Sequence, residues 1–171
     1  MEIVVNDTNI LIDLYNARLL SCCKQLDLDF RTLDLIIEEI EVEEQLMAVN
    51  RLVSEGILKV CSLSGQQLTK VFEKVSFYDG KCNLSPEDIS VMVYAQDNHC
   101  RLLTGDKTLR EKATLENVTV SGILFLTDMI TRDGILEPAE MINALERLLQ
   151  SNGRLPKRLI QERIEHLRSQ L

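Results

Sequence analysis

Histidine is scarce in this sequence of 171 residues, which contains only His99 and His166. Neither lies in a recognisable nucleophile motif, so catalysis by a thiol is disfavoured although the chain has five cysteines. The cysteines lack metal-type spacing, and an odd number that includes the adjacent Cys22 and Cys23 favours reduced thiols over disulfides. Zinc sites and cysteine–histidine catalysis are therefore not expected.

Other common signatures are also missing. There is no glycine-rich phosphate loop and no serine nucleophile elbow. The longest apolar runs fall far below the roughly 18 residues that spanning a bilayer requires, and the first residues do not resemble a secretory signal. We therefore expect a cytoplasmic protein without membrane attachment.

Positive charge is in short supply, because 19 Lys and Arg residues face 27 Asp and Glu residues and the formal net charge is −8. This balance argues against a general electrostatic attraction to nucleic acid. Basic residues nevertheless cluster in two segments, one with Lys107, Arg110 and Lys112 and one with Arg154, Lys157, Arg158, Arg163 and Arg168.

The length and the 45% hydrophobic content are typical of one globular domain. We expect residues 1–171 to form this domain, with 138–171 as a C-terminal helical extension. Short β-branched runs alternate with helical patterns, which predicts an α/β fold with a mainly parallel sheet covered on both faces. Strands are expected at 3–5, near 29, at 56–60, 101–104 and 118–120. Helices are expected at 10–20, 33–47, 64–77, 86–98, 107–115, 123–131, 138–149 and 155–167.

Three acidic residues occupy the ends of these elements. Asp7 and Asp106 follow predicted strands, and Asp88 lies in the first turn of a helix that Ser85 caps. Each could simply cap a helix. Together, however, they would meet at one edge of the sheet, where carboxylates repel each other unless a cation is present. Mg²⁺ prefers such oxygen ligands.

A fourth acid comes from the predicted helix at 33–47. At about 100° per residue, Glu39 falls within the apolar face, whereas Glu38 falls outside it. An acid on an apolar face is rarely buried unless it is paired or binds a metal. Glu39 is therefore the preferred fourth ligand, with Glu43 as a candidate accessory one turn later.

Two neutral residues accompany the acids. Asn9 is placed to orient the Asp7 carboxylate or to bond the turn backbone, and Thr104 faces the same way as Asp106 if the strand continues. Ordinary turn chemistry is an equally good explanation of Asn9.

The acid-bearing segments resemble those of PIN-domain nucleases, and within them the VapC-like toxin group. The resemblance covers nearly the whole chain and occurs in the usual order. The matching stretches are Val5-Asn6-Asp7-Thr8-Asn9, Ile36-Ile37-Glu38-Glu39-Ile40, Leu84-Ser85-Pro86-Glu87-Asp88 and Leu102-Leu103-Thr104-Gly105-Asp106-Lys107-Thr108-Leu109-Arg110.

The resemblance implies a three-layer α/β/α sandwich and hydrolysis of RNA phosphodiester bonds with Mg²⁺ or Mn²⁺. It makes four acids catalytic metal ligands: Asp7, Glu39, Asp88 and Asp106. Asn9 and Thr104 would support them, and Lys107 and Arg110 would contact flanking phosphates unless they are merely solvated. It also implies a homodimer and an antitoxin partner. The alternatives are a metal-dependent phosphatase and a catalytically silent binding module.

Overall fold

The computed structural model describes residues 1–171 and contains one parallel sheet with the strand order β3-β2-β1-β4-β5. Val4 and Val5 point to opposite faces of the central strand, and both are fully buried. The sheet is therefore covered on both sides. The strands are β1 (Glu2–Asn6), β2 (Leu28–Leu33), β3 (Leu58–Cys61), β4 (Arg101–Leu103) and β5 (Val120–Ser121).

Helices form the two outer layers. α1, α3, α7 and α8 contact one another on one side, and α4, α5 and α6 contact one another on the other. The predicted three-layer α/β/α sandwich is confirmed. The helices are α1 (Thr8–Asn16), α2 (Asp34–Glu38), α3 (Glu43–Ser54), α4 (Gly65–Tyr78), α5 (Pro86–Asp97), α6 (Lys107–Leu115), α7 (Ile123–Arg132), α8 (Pro138–Ser151) and α9 (Lys157–Arg168), with a 3₁₀ helix at Leu20–Gln25.

The prediction of a single helix at 33–47 is wrong. Leu33 instead ends β2, where it pairs with Cys61 of β3, and two separate helices follow. Buried Ile40 lies in the non-helical stretch between them. The run is rich in β-branched residues, which lose side-chain freedom in a helix, so tertiary pairing overrides the weak helical preference.

Most other elements agree with the sequence pattern. The strand expected near Asp29 is β2, and the helix expected at 107–115 is α6. The last strand is shifted, since β5 begins at Val120 and not at Val118. No helix has the length and apolar character needed to cross a membrane. The division into one domain with an extension at 138–171 stays a prediction.

Candidate functional site

The strand order reverses at β1, whose two neighbours are β2 and β4. The chain leaves β1 at Asp7 and leaves β4 three residues before Asp106, and the Asp7 amide donates to the Leu103 carbonyl at 3.0 Å. Both acids therefore lie at the carboxyl edge of adjacent parallel strands. In open α/β sheets, ligands bind at such a switch point.

Asp7 is the most enclosed of the four predicted acids, with only 4% of its surface exposed. Its carboxylate accepts hydrogen bonds from the Thr8 amide, the Asn9 side-chain amide and the Thr104 hydroxyl, each at 2.8 Å. Burial raises the pKa of Asp7 from 3.8 to about 6, although the bonds from Thr104 and Thr8 lower it. Asp88 and Glu39 raise this pKa further by charge repulsion.

Thr104 and Asn9 join the β1 and β4 ends. The Thr104 hydroxyl donates to Asp7 and accepts from the Asp106 amide at 3.1 Å. Asn9 donates to Asp7 Oδ2 and accepts from the Gly105 amide at 2.7 Å. Asn9 thus bonds the Asp7 carboxylate, one of the two alternatives considered from the sequence, and also the backbone of the turn that follows β4.

Asp88 and Asp106 both act as helix-capping groups. Asp88 Oδ2 accepts from the Ser85 amide at 2.9 Å, and the Ser85 hydroxyl accepts from the Asp88 amide at 3.0 Å, which closes a capping box at the start of α5. Asp106 Oδ1 accepts from the Leu109 amide at 2.8 Å in α6. Each carboxylate keeps one oxygen free of these capping bonds.

Glu39 differs from its expected setting. It follows α2 as the C-cap residue and is exposed, so it does not lie on an apolar helical face. Its carboxylate accepts a hydrogen bond from the Thr8 hydroxyl, next to Asp7. Partial desolvation raises its pKa, as do the charges of Glu87 and Asp88. Glu43 is exposed in the first turn of α3, so no common helix relates it to Glu39.

The four acids influence one another without a compensating cation. Burial raises the pKa of Asp88, and the charges of Asp106 and Glu87 raise it further. No ion pair involves any of the four predicted ligands. Glu87 is a neighbour that the sequence analysis did not select. Its position directly before Asp88, in the first turn of α5, is the sequence feature that could have identified it.

The type of donor fits a hard divalent cation, because every charged group in the cluster is a carboxylate and the charges repel one another. The present side-chain conformations do not form a complete coordination sphere. No group of three or more His, Cys, Asp and Glu side chains is placed to hold one ion. Binding of one ion by three of these acids therefore requires side-chain rotation.

The two basic residues predicted to contact phosphates lie in α6. Arg110 donates from Nη2 to the Thr104 carbonyl at 3.2 Å, so it is tied to the β4 end. Lys107 is exposed and lies 4.0 Å from Glu111, a weak surface pairing. Both residues are exposed, on the helix that Asp106 caps.

A family model described as a PIN domain, DUF3368, matches residues 3–169. A comparison with curated proteins finds no match.

The fold also resembles solved structures. VapBC2 from Rickettsia felis, bound to a DNA fragment from their promoter, contains a similar chain with a TM-score of 0.51 and 14% identity, covering 70% of this chain and 98% of that one. FitAB bound to an IR36 DNA fragment has a TM-score of 0.49 and 13% identity, covering 70% and 94%. At these identities the likeness concerns the fold.

Proposed function

Since the chain belongs to the PIN-domain family, we propose that it is a metal-dependent endoribonuclease that hydrolyses RNA phosphodiester bonds. The observation that carries the proposal is the set of four carboxylates at one sheet edge without an ion-pair partner. Asp7, Glu39, Asp88 and Asp106 would hold Mg²⁺ or Mn²⁺. The bound ion would lower the pKa of water and offset the negative charge that develops on phosphate.

The remaining residues of the site position the acids. Thr104 and Asn9 hold the Asp7 carboxylate through Oδ2. Such outer contacts fix the orientation of a ligand and affect metal affinity. The helix starts that Asp88 and Asp106 cap place their backbone amides toward the same edge, and helix N-termini favour anions such as phosphate.

The first test is cleavage of a mixed RNA pool by the wild-type chain, with Mg²⁺, with Mn²⁺ and with chelator. Asp7→Asn and Asp106→Asn are the informative variants because Asn caps a helix about as well as Asp. Each substitution removes charge while it preserves the local helix start. We expect metal-dependent cleavage that both variants lose while they remain folded, as circular dichroism would verify.

A matched control is Asp27→Asn, which removes the same charge at a side chain with 82% exposure. Asp27 directly precedes β2, so it lies at the sheet edge opposite to the site. It should cleave like wild type. Absence of metal-dependent cleavage in the folded wild-type chain would contradict the proposal and favour a silent binding module. Release of phosphate from monoesters, with no cleavage within RNA strands, would favour a phosphatase.

We further propose that the nuclease is the toxin of a toxin–antitoxin pair and binds an antitoxin protein. The support is the VapC-like segment pattern and the fold shared with VapBC2, a likeness in fold alone. Induced expression of the wild-type chain should then arrest bacterial growth, whereas Asp7→Asn should not. Equal growth with both proteins would count against a toxin. The homodimer stays a prediction that light scattering would test.

A further inference from the structure

A basic cavity of about 420 Å³ opens next to the acidic edge. Its wall includes Gly105 and Lys107, the residues on either side of Asp106. The volume falls in the range of about 300–1,000 Å³ that is usual for small-ligand pockets. The cavity therefore begins where the proposed catalytic site ends.

The charges around this cavity have one sign. Lys107, Arg110, Arg154 and Arg163 line it, and no Asp or Glu does. Arg163 also pairs with Asp128, whereas the Arg154 side chain takes part in no hydrogen bond or ion pair. Four other cavities of the surface each include at least one acidic side chain. In a chain of net charge −8, this grouping is a local exception.

Helix starts add to the positive potential. The wall includes Ile123, the first residue of α7, and Pro156, the residue before α9. No side chain caps either helix, so their first-turn amides keep no side-chain acceptor. Helix N-termini carry partial positive charge and bind phosphates well. Two such ends and the basic side chains thus surround the same space.

The apolar part of the cavity lining, the floor, consists of Ile123, Leu124, Leu155 and Leu159. Of the Leu159 surface, 45% is exposed. An apolar floor in the same cavity as four basic side chains suits a ligand with a flat base and an anionic phosphate. A base can reach such a floor only when it is unpaired, because pairing in a duplex keeps it within the stack.

We propose that this cavity binds the nucleotide next to the scissile phosphate of a single-stranded nucleic acid. The inference rests on the proposed function and adds a substrate subsite to it. Arg154 and Lys107 hold the phosphodiester, and the base lies on Leu155 and Leu159. The strand then continues past Gly105 to the four acids.

The test is the binding of a fluorescent single-stranded RNA decamer in chelator, measured by anisotropy. Arg154→Glu should weaken binding by about tenfold at low salt and reduce the salt dependence by about one phosphate contact. Leu159→Glu, at an exposed floor position, should also weaken binding. Arg51→Glu is the matched control, since it makes the same charge change on α3, where Arg51 pairs only with Glu55. It should stay within about twofold of wild type.

Several outcomes would overturn the subsite. One is equal binding by Arg154→Glu, Leu159→Glu and Arg51→Glu. Another is equally tight binding of an RNA duplex. A third is displacement of the RNA by an equimolar deca-glutamate peptide, which would assign the cavity to an acidic protein segment. Because chelator removes metal, the result is independent of cleavage. If Arg154→Glu and Leu159→Glu lose affinity but the wild-type chain never cleaves RNA, the cavity binds single-stranded RNA and the nuclease proposal is contradicted.

Discussion

The Thr104 hydroxyl donates to Asp7 Oδ2 at 2.8 Å across 97 residues of sequence, and both residues are buried. The Thr104 hydroxyl oxygen in turn accepts from the Asp106 amide at 3.1 Å. One hydroxyl therefore connects the two strand-end acids of the proposed metal site. Its removal would leave a buried carboxylate and a backbone amide without this partner.

Thr104→Val should lower the free energy of unfolding by about 1–3 kcal/mol, because unsatisfied polar groups are costly to bury. It should also raise the pKa of Asp7, which the Thr104 bond lowers. Thr104→Ser keeps the hydroxyl and should cost less. Denaturant unfolding in chelator measures both variants. A negligible cost for Thr104→Val, or a larger cost for Thr104→Ser than for Thr104→Val, would assign the stabilising role of Thr104 to its methyl group and contradict the prediction.

The charge on Asp7 should destabilise the metal-free chain at neutral pH. Burial raises its pKa in the folded chain from 3.8 to about 6. Protonation of Asp7 therefore favours folding, and this contribution is fully present below pH 3.8 and lost as the pH rises through about 6. The stability of Asp7→Asn relative to wild type should rise by up to about 3 kcal/mol between about pH 4 and pH 7. Denaturant unfolding in chelator at several pH values measures it, and a pH-independent difference would contradict it.

Asp106 should show separate contributions from its cap and from its charge. Asp106→Ala loses the bond to the Leu109 amide and should lower the free energy of unfolding by about 1 kcal/mol, whereas Asp106→Asn should lower it little.

Mn²⁺ should raise the melting temperature of wild type, because a ligand at 100 times its Kd stabilises the folded chain by about 2.7 kcal/mol. At the same Mn²⁺ concentration, the melting temperatures of Asp106→Ala and Asp106→Asn should rise less than that of wild type. A full Mn²⁺ shift in Asp106→Asn would remove Asp106 from the ligands.

Gly122 should control the position of Arg110. A Cβ at residue 122 would lie 2.7 Å from Arg110 Nη2, so Gly122→Ala must displace the guanidinium from the Thr104 carbonyl. Because a flexible side chain can move, the stability cost should be near 1 kcal/mol, mostly from the poorer N-cap. The affinity for single-stranded RNA should fall, because Arg110 lines the proposed subsite. In an Arg110→Ala background the same change should not affect affinity, and a persistent loss there would contradict the coupling.

Much of the fold was predictable because its signals are local. Ser85, Pro86 and Asp88 form a capping box with proline at the first helical position, and the structure contains it at the start of α5. The alternation of strands and helices predicted the parallel sheet. The placement of Asp7 and Asp106 at one edge follows, since parallel strands end on the same side.

The sequence by itself determined the α/β class, the helix caps and the acids that follow β1 and β4, because short-range periodicity and capping chemistry encode them. Only the tertiary structure decided the break before α3, the exposure of Glu39 and the meeting of Thr104 with Asp7. It also decided that the segment between α8 and α9 brings Arg154 beside α6. These features depend on contacts between distant segments, and such contacts leave no periodic pattern in the segments that make them.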